Sequence, residues 1–384
     1  MKKQILVVDD SALMRRVICD IINTDSNFEA KDFCRDGLEA YEKLKTTTYD
    51  GVVLDVNMPR MDGLQLLEKL QEDHIKANVI MVSTLTTKDA EITMMALERG
   101  AIDFVTKPTN VIEAKGETFQ KQLLSVLSAV LKINISSSTS RLSRTPSTST
   151  TASAPVSSAR TVSAVGEKKA GISAIELRPK AIAVKKLKAT GNKKVVALAC
   201  STGGPKALQD VIPYLPKNLD APVVLVQHMP VGFTKSMADR LNDISEINVK
   251  EAEDGEKLEK GWVYVAPGGK HLEVAKNADG SHHVSLSDMP AIGGLKPCAN
   301  IMYDSLTKSA YDEIVCVVLT GMGADGTNGI LTLSQQKPIH VIAQNESTCV
   351  VYGMPKAIAD AGAVDEVVPL KDVAKTITKN VGVN

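Results

Sequence analysis

Gly51-Val52-Val53-Leu54-Asp55-Val56-Asn57-Met58-Pro59-Arg60-Met61-Asp62-Gly63 is a short Val/Leu run that stops at a carboxylate and passes into a Pro-containing turn. Such a run fits a buried strand of a parallel sheet. Similar runs flank it at residues 5–8, 29–34, 79–82 and 102–105, with stretches of helical spacing between them and a last one near 111–131. Five β-α units in succession predict a doubly wound parallel sheet. Farther along, strands are expected again at 195–199, 222–227, 262–265, 314–319 and 340–343. The fold class is therefore α/β throughout, with a second, larger and less regular sheet domain.

Between the two halves the apolar periodicity stops, as in Thr145-Pro146-Ser147-Thr148-Ser149-Thr150. A stretch dominated by Ser, Thr, Ala and Lys buries too little apolar surface to offset its ordering entropy. It predicts a flexible linker over 133–193, joining domains at 1–132 and 194–384. The alternation of apolar and Lys residues at 181–188 would also suit a short packed element, but a solvated tether is the favoured reading. Two domains and a connector suit a chain of 384 residues. Lys+Arg and Asp+Glu both number 45, so no net field draws the chain to nucleic acid or anionic membrane. Cys19, Cys34, Cys200, Cys298, Cys316 and Cys349 form no Cys-x-x-Cys pair and sit mostly in apolar runs, which favours a reducing cytoplasm. The first apolar run, Ile5-Leu6-Val7-Val8, meets Asp9-Asp10 too soon for a signal peptide, and no run approaches the ~20 apolar residues of a membrane span.

In open parallel sheets ligands sit at the carboxyl ends of the strands. The first strand ends in Asp9-Asp10 and the third in Asp55. Converging carboxylates repel unless a cation lies among them, and an all-oxygen site with few protein ligands suits Mg²⁺. Ser83 ends the fourth strand and Lys107 the fifth. A hydroxyl and an ammonium beside a carboxylate are what a phosphoryl group on Asp55 needs. Singly, each of these residues is as well explained by a helix cap or a turn; their recurrence at successive strand ends favours a site.

Residues 2–131 resemble a response-regulator receiver domain, most specifically through the run 55–63. That resemblance implies Asp55 as phosphoacceptor, Asp9 and Asp10 as the acidic metal pair, Ser83 and Phe104 as switch residues and Lys107 as the conserved-type lysine. Asn57 falls at a position that varies among receivers, often Glu or Asn, and that can alter phosphoryl lifetime.

The second half begins Val195-Val196-Ala197-Leu198-Ala199-Cys200-Ser201-Thr202-Gly203-Gly204-Pro205, a strand running into a helix through a turn that carries Ser201. Free N–H groups at such a turn face an anion, and the glycines permit close approach. Ala199 stands where the Gly-x-Ser-x-Gly elbow has its first glycine, and the same turn suits phosphate as well as it suits a nucleophile. Among six histidines, His228 follows a buried strand on the edge that carries Ser201. His74 lies in the first half, His282-His283 adjoin a hairpin turn at 277–281, and His340 begins a strand. A third strand leads into Thr320-Gly321-Met322-Gly323-Ala324-Asp325-Gly326, where Asp325 suits an imidazole partner. The glycines around Met322 either expose oxyanion donors or form a tight turn. Cys200, a rival nucleophile by position, should point into the core.

With these motifs, and with Gln227-His228-Met229-Pro230, Ala266-Pro267-Gly268 and Ala343-Gln344-Asn345, residues 194–384 resemble the catalytic domain of the chemotaxis protein-glutamate methylesterases. The resemblance implies an acyl-enzyme mechanism on receptor glutamyl methyl esters, with Ser201, His228 and Asp325 as triad and Met322 and Thr202 as oxyanion and pocket support. It also implies deamidation of receptor glutamines. Mg²⁺ would be needed at the receiver and no cofactor at the esterase; chemoreceptors would be the substrate and a chemotaxis histidine kinase the phosphodonor. Where the family carries Arg-Pro-Ser-Val-Asp, this chain has Lys296-Pro297-Cys298-Ala299-Asn300, which puts receptor preference in question. A noncatalytic adaptor is the competing class. A DNA-binding output is disfavoured, because the second half reads as a sheet rather than a small basic helical module.

Overall fold

The computed structural model describes residues 1–108, 113, 116–132 and 184–383. Its first sheet contains β1 (Lys3–Val8), β2 (Phe28–Cys34), β3 (Gly51–Asp55), β4 (Val79–Ser83) and β5 (Asp103–Thr106) in the order β2-β1-β3-β4-β5. Every pairing in it is parallel. β3 and β4 are buried at all their positions, as strands covered by helices on both faces must be. The helices are α1 (Ala12–Thr24), α2 (Gly37–Thr46), α3 (Gly63–Glu72), α4 (Thr87–Glu98) and α5 (Glu117–Val130). α1 buries Val17, Ile18, Ile21 and Ile22, one helical stripe, and α3 starts with a capping box between Asp62 and Gln65. The last helix was expected from about 111; residues 109–112, 114 and 115 lie outside the described residues.

The second sheet runs β14-β13-β12-β6-β7-β9-β8, again all parallel. Its strands are β6 (Lys194–Cys200), β7 (Val223–Gln227), β8 (Asn248–Glu251), β9 (Trp262–Val265), β12 (Glu313–Val318), β13 (Ile339–Gln344) and β14 (Glu366–Val368). An antiparallel hairpin of β10 (His271–Lys276) and β11 (His282–Ser287) stands apart. The helices used below are α6 (Gly204–Gln209), α7 (Phe233–Asp243) and α8 (Ala299–Ser305). Both sheets and their parallel class match the expectation, while β8 and β14 were not anticipated. The hairpin turn falls at 277–281 as expected. His282 does not belong to its polar tip, however: it is buried on β11, stacks on Tyr311 at 4.0 Å and accepts from Ala310 N–H at 2.9 Å.

Most of the expected linker, 133–183, lies outside the described residues. Residues 184–193 are mostly exposed, with anchors on the second domain. Val184 packs on the second domain's core, and Lys186 Nζ pairs with Asp365 Oδ1 at 2.6 Å.

The two domains meet along α4 and α7. Phe104 of β5 stacks on the wholly buried Phe233 of α7, with centroids 4.6 Å apart and planes 9° from parallel. Such a pair adds about 1 kcal/mol beyond its area burial. Beside it, Arg240 grips the Glu98 carboxylate through two nitrogens, with Nη2–Oε2 at 3.0 Å. Val350 of the second domain packs on the other core face of the first.

Candidate active site

β1, β3 and β5 deliver the acidic site of the N-terminal domain. Lys107, held by its N–H to Ser83 O at 2.7 Å, places Nζ 2.8 Å from Asp55 Oδ2 and 2.9 Å from Asp9 Oδ2. Burial, then the Asp9 charge, push Asp55 up to about 6 against the pull of Lys107. Burial likewise raises Asp9. Its Oδ2 is buried and accepts no well-aligned hydrogen bond although Lys107 is near. Ligand oxygens of Asp9, Asp10 and Asp55 lie within 4.8 Å of one another. A cluster of three carboxylates sharing a single ammonium leaves excess negative charge and fits a hard divalent cation.

Ser83 is wholly buried, and its Oγ accepts from Thr93 Oγ1 at 2.7 Å. Asn57 Nδ2 donates to Asp89 Oδ1 at 2.7 Å, so that side chain is tethered to α4. Phe104 is turned inward onto Phe233.

In the C-terminal domain the sheet changes winding direction at β6, with β7 on one side and β12 on the other, which is where open α/β sheets hold ligands. Ser201 follows β6, His228 follows β7 and Asp325 lies on the loop after β12. Ser201 N–H donates to Thr320 O at 3.0 Å, and His228 N–H donates to Cys200 O at 3.3 Å, which fixes both at adjoining strand ends. Gln227 Nε2 donates to Ser201 O at 3.0 Å. Gly204 permits that contact, since a Cβ there would lie 2.0 Å from Gln227 Oε1. Gly321 is equally constrained, with a Cβ there 2.9 Å from that of Ser201.

His228 Nε2 faces Asp325 Oδ2 at 2.8 Å, which leaves Nδ1 available for a hydroxyl proton. Asp325 is nearly fully buried and accepts from Ala299 N–H (2.6 Å), Asn300 N–H (3.0 Å), Gly326 N–H (2.9 Å) and Cys298 Sγ (3.2 Å). Burial would raise its pKa, but the His228 bond and these donors outweigh burial and hold it below the ordinary value. The unusual 296–300 segment therefore supports the carboxylate. Burial and Asp325 push the Cys298 thiol up to about 12, so it stays a neutral donor. Cys200 is fully buried, as expected, and burial raises its thiol further from reactivity.

Thr202 and Met322 are not free in this arrangement. Thr202 and Gly203 lie close enough to the buried Asp103 carboxylate of β5 to lower its pKa against the effect of burial. Met322 is part-exposed, and its sulfur meets Ser125 Oγ of α5 at 3.3 Å. Sequence reasoning missed Asp103, Gln227 and Phe233. Gln227 stood beside His228 in a noted motif, whereas nothing local marks Asp103 or Phe233.

An acidic phosphoacceptor-type domain packed on a parallel-sheet domain with hydroxyl, imidazole and carboxylate at neighbouring strand ends defines a response regulator with a hydrolase-type output. Residues 5–115 match the response regulator receiver domain family, and residues 196–377 match the CheB methylesterase family. A Syntrophomonas wolfei relative called protein-glutamate methylesterase/protein-glutamine glutaminase 1 is 39% identical over 381 residues, 98% of each chain. The Bacillus subtilis protein-glutamate methylesterase/protein-glutamine glutaminase is 40% identical over 375 residues, 98% of this chain and 97% of that one. The crystal structure of the Thermotoga maritima CheB methylesterase catalytic domain is similar at 41% identity and TM-score 0.47, covering 50% of this chain and 100% of that chain. The chain belongs to the protein-glutamate methylesterase/protein-glutamine glutaminase family.

Proposed function

We propose that the chain hydrolyses glutamate γ-methyl esters on methyl-accepting chemoreceptors, and deamidates their glutamines, when Asp55 is phosphorylated. Residues 1–132 receive the signal, 133–193 connect and 194–384 catalyse. Ser201 Oγ attacks the ester carbonyl while His228 takes its proton, and Asp325 stabilises the resulting imidazolium. The Met322 N–H and Thr202 hold the oxyanion. His228 returns the proton to the leaving methoxide, methanol departs, and a water activated by the same imidazole releases the glutamate. The observation that carries this reading is the 2.8 Å contact between His228 and the buried, multiply bonded Asp325 beside Ser201.

Asp9, Asp10 and Asp55 would hold Mg²⁺, which supplies charge neutralisation for phosphoryl transfer to Asp55. Lys107 would pair with the phosphoryl oxygens and Ser83 would donate to them, breaking its contact with Thr93 and repacking Phe104. The phosphodonor would be a chemotaxis histidine kinase. A cytoplasmic location is supported by six unpaired cysteines, and no helix among the described residues is long and apolar enough to cross a membrane.

A fluorophosphonate probe, applied to the full chain with Mg²⁺ and acetyl phosphate, tests the nucleophile. Labelling of Ser201, abolished in Ser201→Ala, is expected; a folded wild-type chain that does not label would favour the noncatalytic adaptor.

A further inference from the structure

Gln227 closes β7 and is 2% exposed, immediately before His228. The strand register sets it opposite Cys200, the residue that precedes Ser201. Its Nε2 donates to Ser201 O at 3.0 Å and to His228 O at 3.3 Å, so one amide nitrogen ties the main chain of the nucleophile to that of the base. Both partners are carbonyl oxygens, which fixes the amide with its nitrogen toward them. Oε1 is then left buried without a donor. A primary amide with an unmet acceptor is expensive in a core, and an unbranched apolar side chain of the same length would sit there without that penalty.

The surroundings are shaped to this side chain. A Cβ at position 204 would stand 2.0 Å from Gln227 Oε1 and 3.0 Å from its Cδ, so only glycine leaves the room. Ser201 O also accepts the Gly204 N–H at 2.7 Å, and the turn and the amide converge on one oxygen. The other polar group of Ser201 is held separately. Its N–H donates to Thr320 O, and Thr320 N–H donates at 2.7 Å to Oε1 of Gln344, the last residue of β13. Gln344 thus anchors the nucleophile turn on the β12 side, whereas Gln227 anchors it to the strand that carries His228. Without the Gln227 tie, Ser201 and His228 would depend on the β6–β7 ladder, whose bond from His228 N–H to Cys200 O is long at 3.3 Å.

We propose that Gln227 is a positioning residue for the acyl transfer, its amide setting the separation and orientation of the Ser201 turn and His228 and so the path of the hydroxyl proton. This deepens, and rests on, the reading of the Ser201 site as the esterase site. The amide bonds main-chain oxygens and not the reacting atoms. Its effect on rate comes through the alignment of two groups carried on different strands, where a displacement of about 1 Å lowers a rate by about a hundredfold.

The test uses the full chain with Mg²⁺ and acetyl phosphate, beside its Gln227→Met and Gln227→Glu variants. Methionine keeps the length but brings no N–H donor, and glutamate keeps the shape but turns an acceptor on the two carbonyls. For methanol release from methylated chemoreceptor membranes, kcat per site labelled to completion by a fluorophosphonate should fall about thirtyfold in Gln227→Met and further in Gln227→Glu. KM should stay within about twofold of wild type. Amide exchange at Ser201 and His228 should rise about tenfold in both variants, the scale of one hydrogen bond, while exchange at Leu198 and Leu225 in the strand interiors stays unchanged. A kcat per labelled site within about threefold of wild type would overturn the proposal, as would a KM that rises in step with the loss of kcat. Exchange that rises equally in the strand interiors would also overturn it, since that is what a merely structural role produces. If even the stimulated wild type hydrolyses no ester, the esterase reading fails, and the exchange contrast alone decides whether Gln227 braces the turn.

Discussion

Asp325 sets a large desolvation cost against five donors, and its lowered pKa shows that the donors win. Replacing it by Asn keeps the volume but removes the charge that stabilises imidazolium, so kcat should fall by about ten-thousandfold with KM little changed. A comparable fall in KM would instead point to a lost ground-state strain. Cys298 supplies the weakest of the five donors, and Cys298→Ser should leave kcat within about threefold of wild type, since a hydroxyl donates to the same oxygen. A fall beyond tenfold would mean that the 296–300 segment does more than hold Asp325. The residues with proposed chemistry were legible because each stands at a strand end or in a short motif, where sequence position fixes spatial position. Asp103 was not, since its meaning comes from Thr202 and Gly203, about a hundred residues away on another domain.

Between elements, α4 and α7 carry the contact between the two domains, where Arg240 meets Glu98. Arg240 and Glu98 are both part-exposed, so their coupling should be about 0.5–1 kcal/mol, screened by salt. Arg240→Ala and Glu98→Ala should each raise the unphosphorylated rate about two- to fourfold at low salt, and the double variant no further. Additive effects in kinetic assays of this cycle would dissociate the ion pair from closure. The regular elements were legible where apolar runs are buried on both faces, as in β3 and β6. β8 and β14 were not, because Asn-Val-Lys-Glu and Glu-Val-Val are short edge strands with mixed exposure. The anchoring of Val184 and Lys186 was not the favoured reading, because the alternation of apolar and Lys residues at 181–188 suits a tether as well as a short packed element.

The whole molecule joins a switch to a hydrolase, and the sequence disclosed both parts but not their arrangement, which depends on complementary surfaces without local signatures. That arrangement carries its own pH dependence. Burial in the closed interface raises Asp103 to about 7, so the closed form binds a proton more tightly than an open form with an ordinary carboxylate. Closure is favoured at acid pH, weakens as pH rises from about 4, where an open carboxylate ionises, to about 7, and changes little above that. The ratio of unphosphorylated to phosphorylated rates should therefore climb between about pH 5 and about 7, level off above that and stay flat in Asp103→Asn, with a ratio that falls over this window contradicting the sign. The most direct measurement is methanol release from methylated chemoreceptor membranes by the full chain and by Ser201→Ala, each with and without acetyl phosphate and Mg²⁺. The account predicts rapid release by the stimulated wild type, slow release without phosphodonor and none by Ser201→Ala. No release by the stimulated wild type, or equal release by Ser201→Ala, would contradict it.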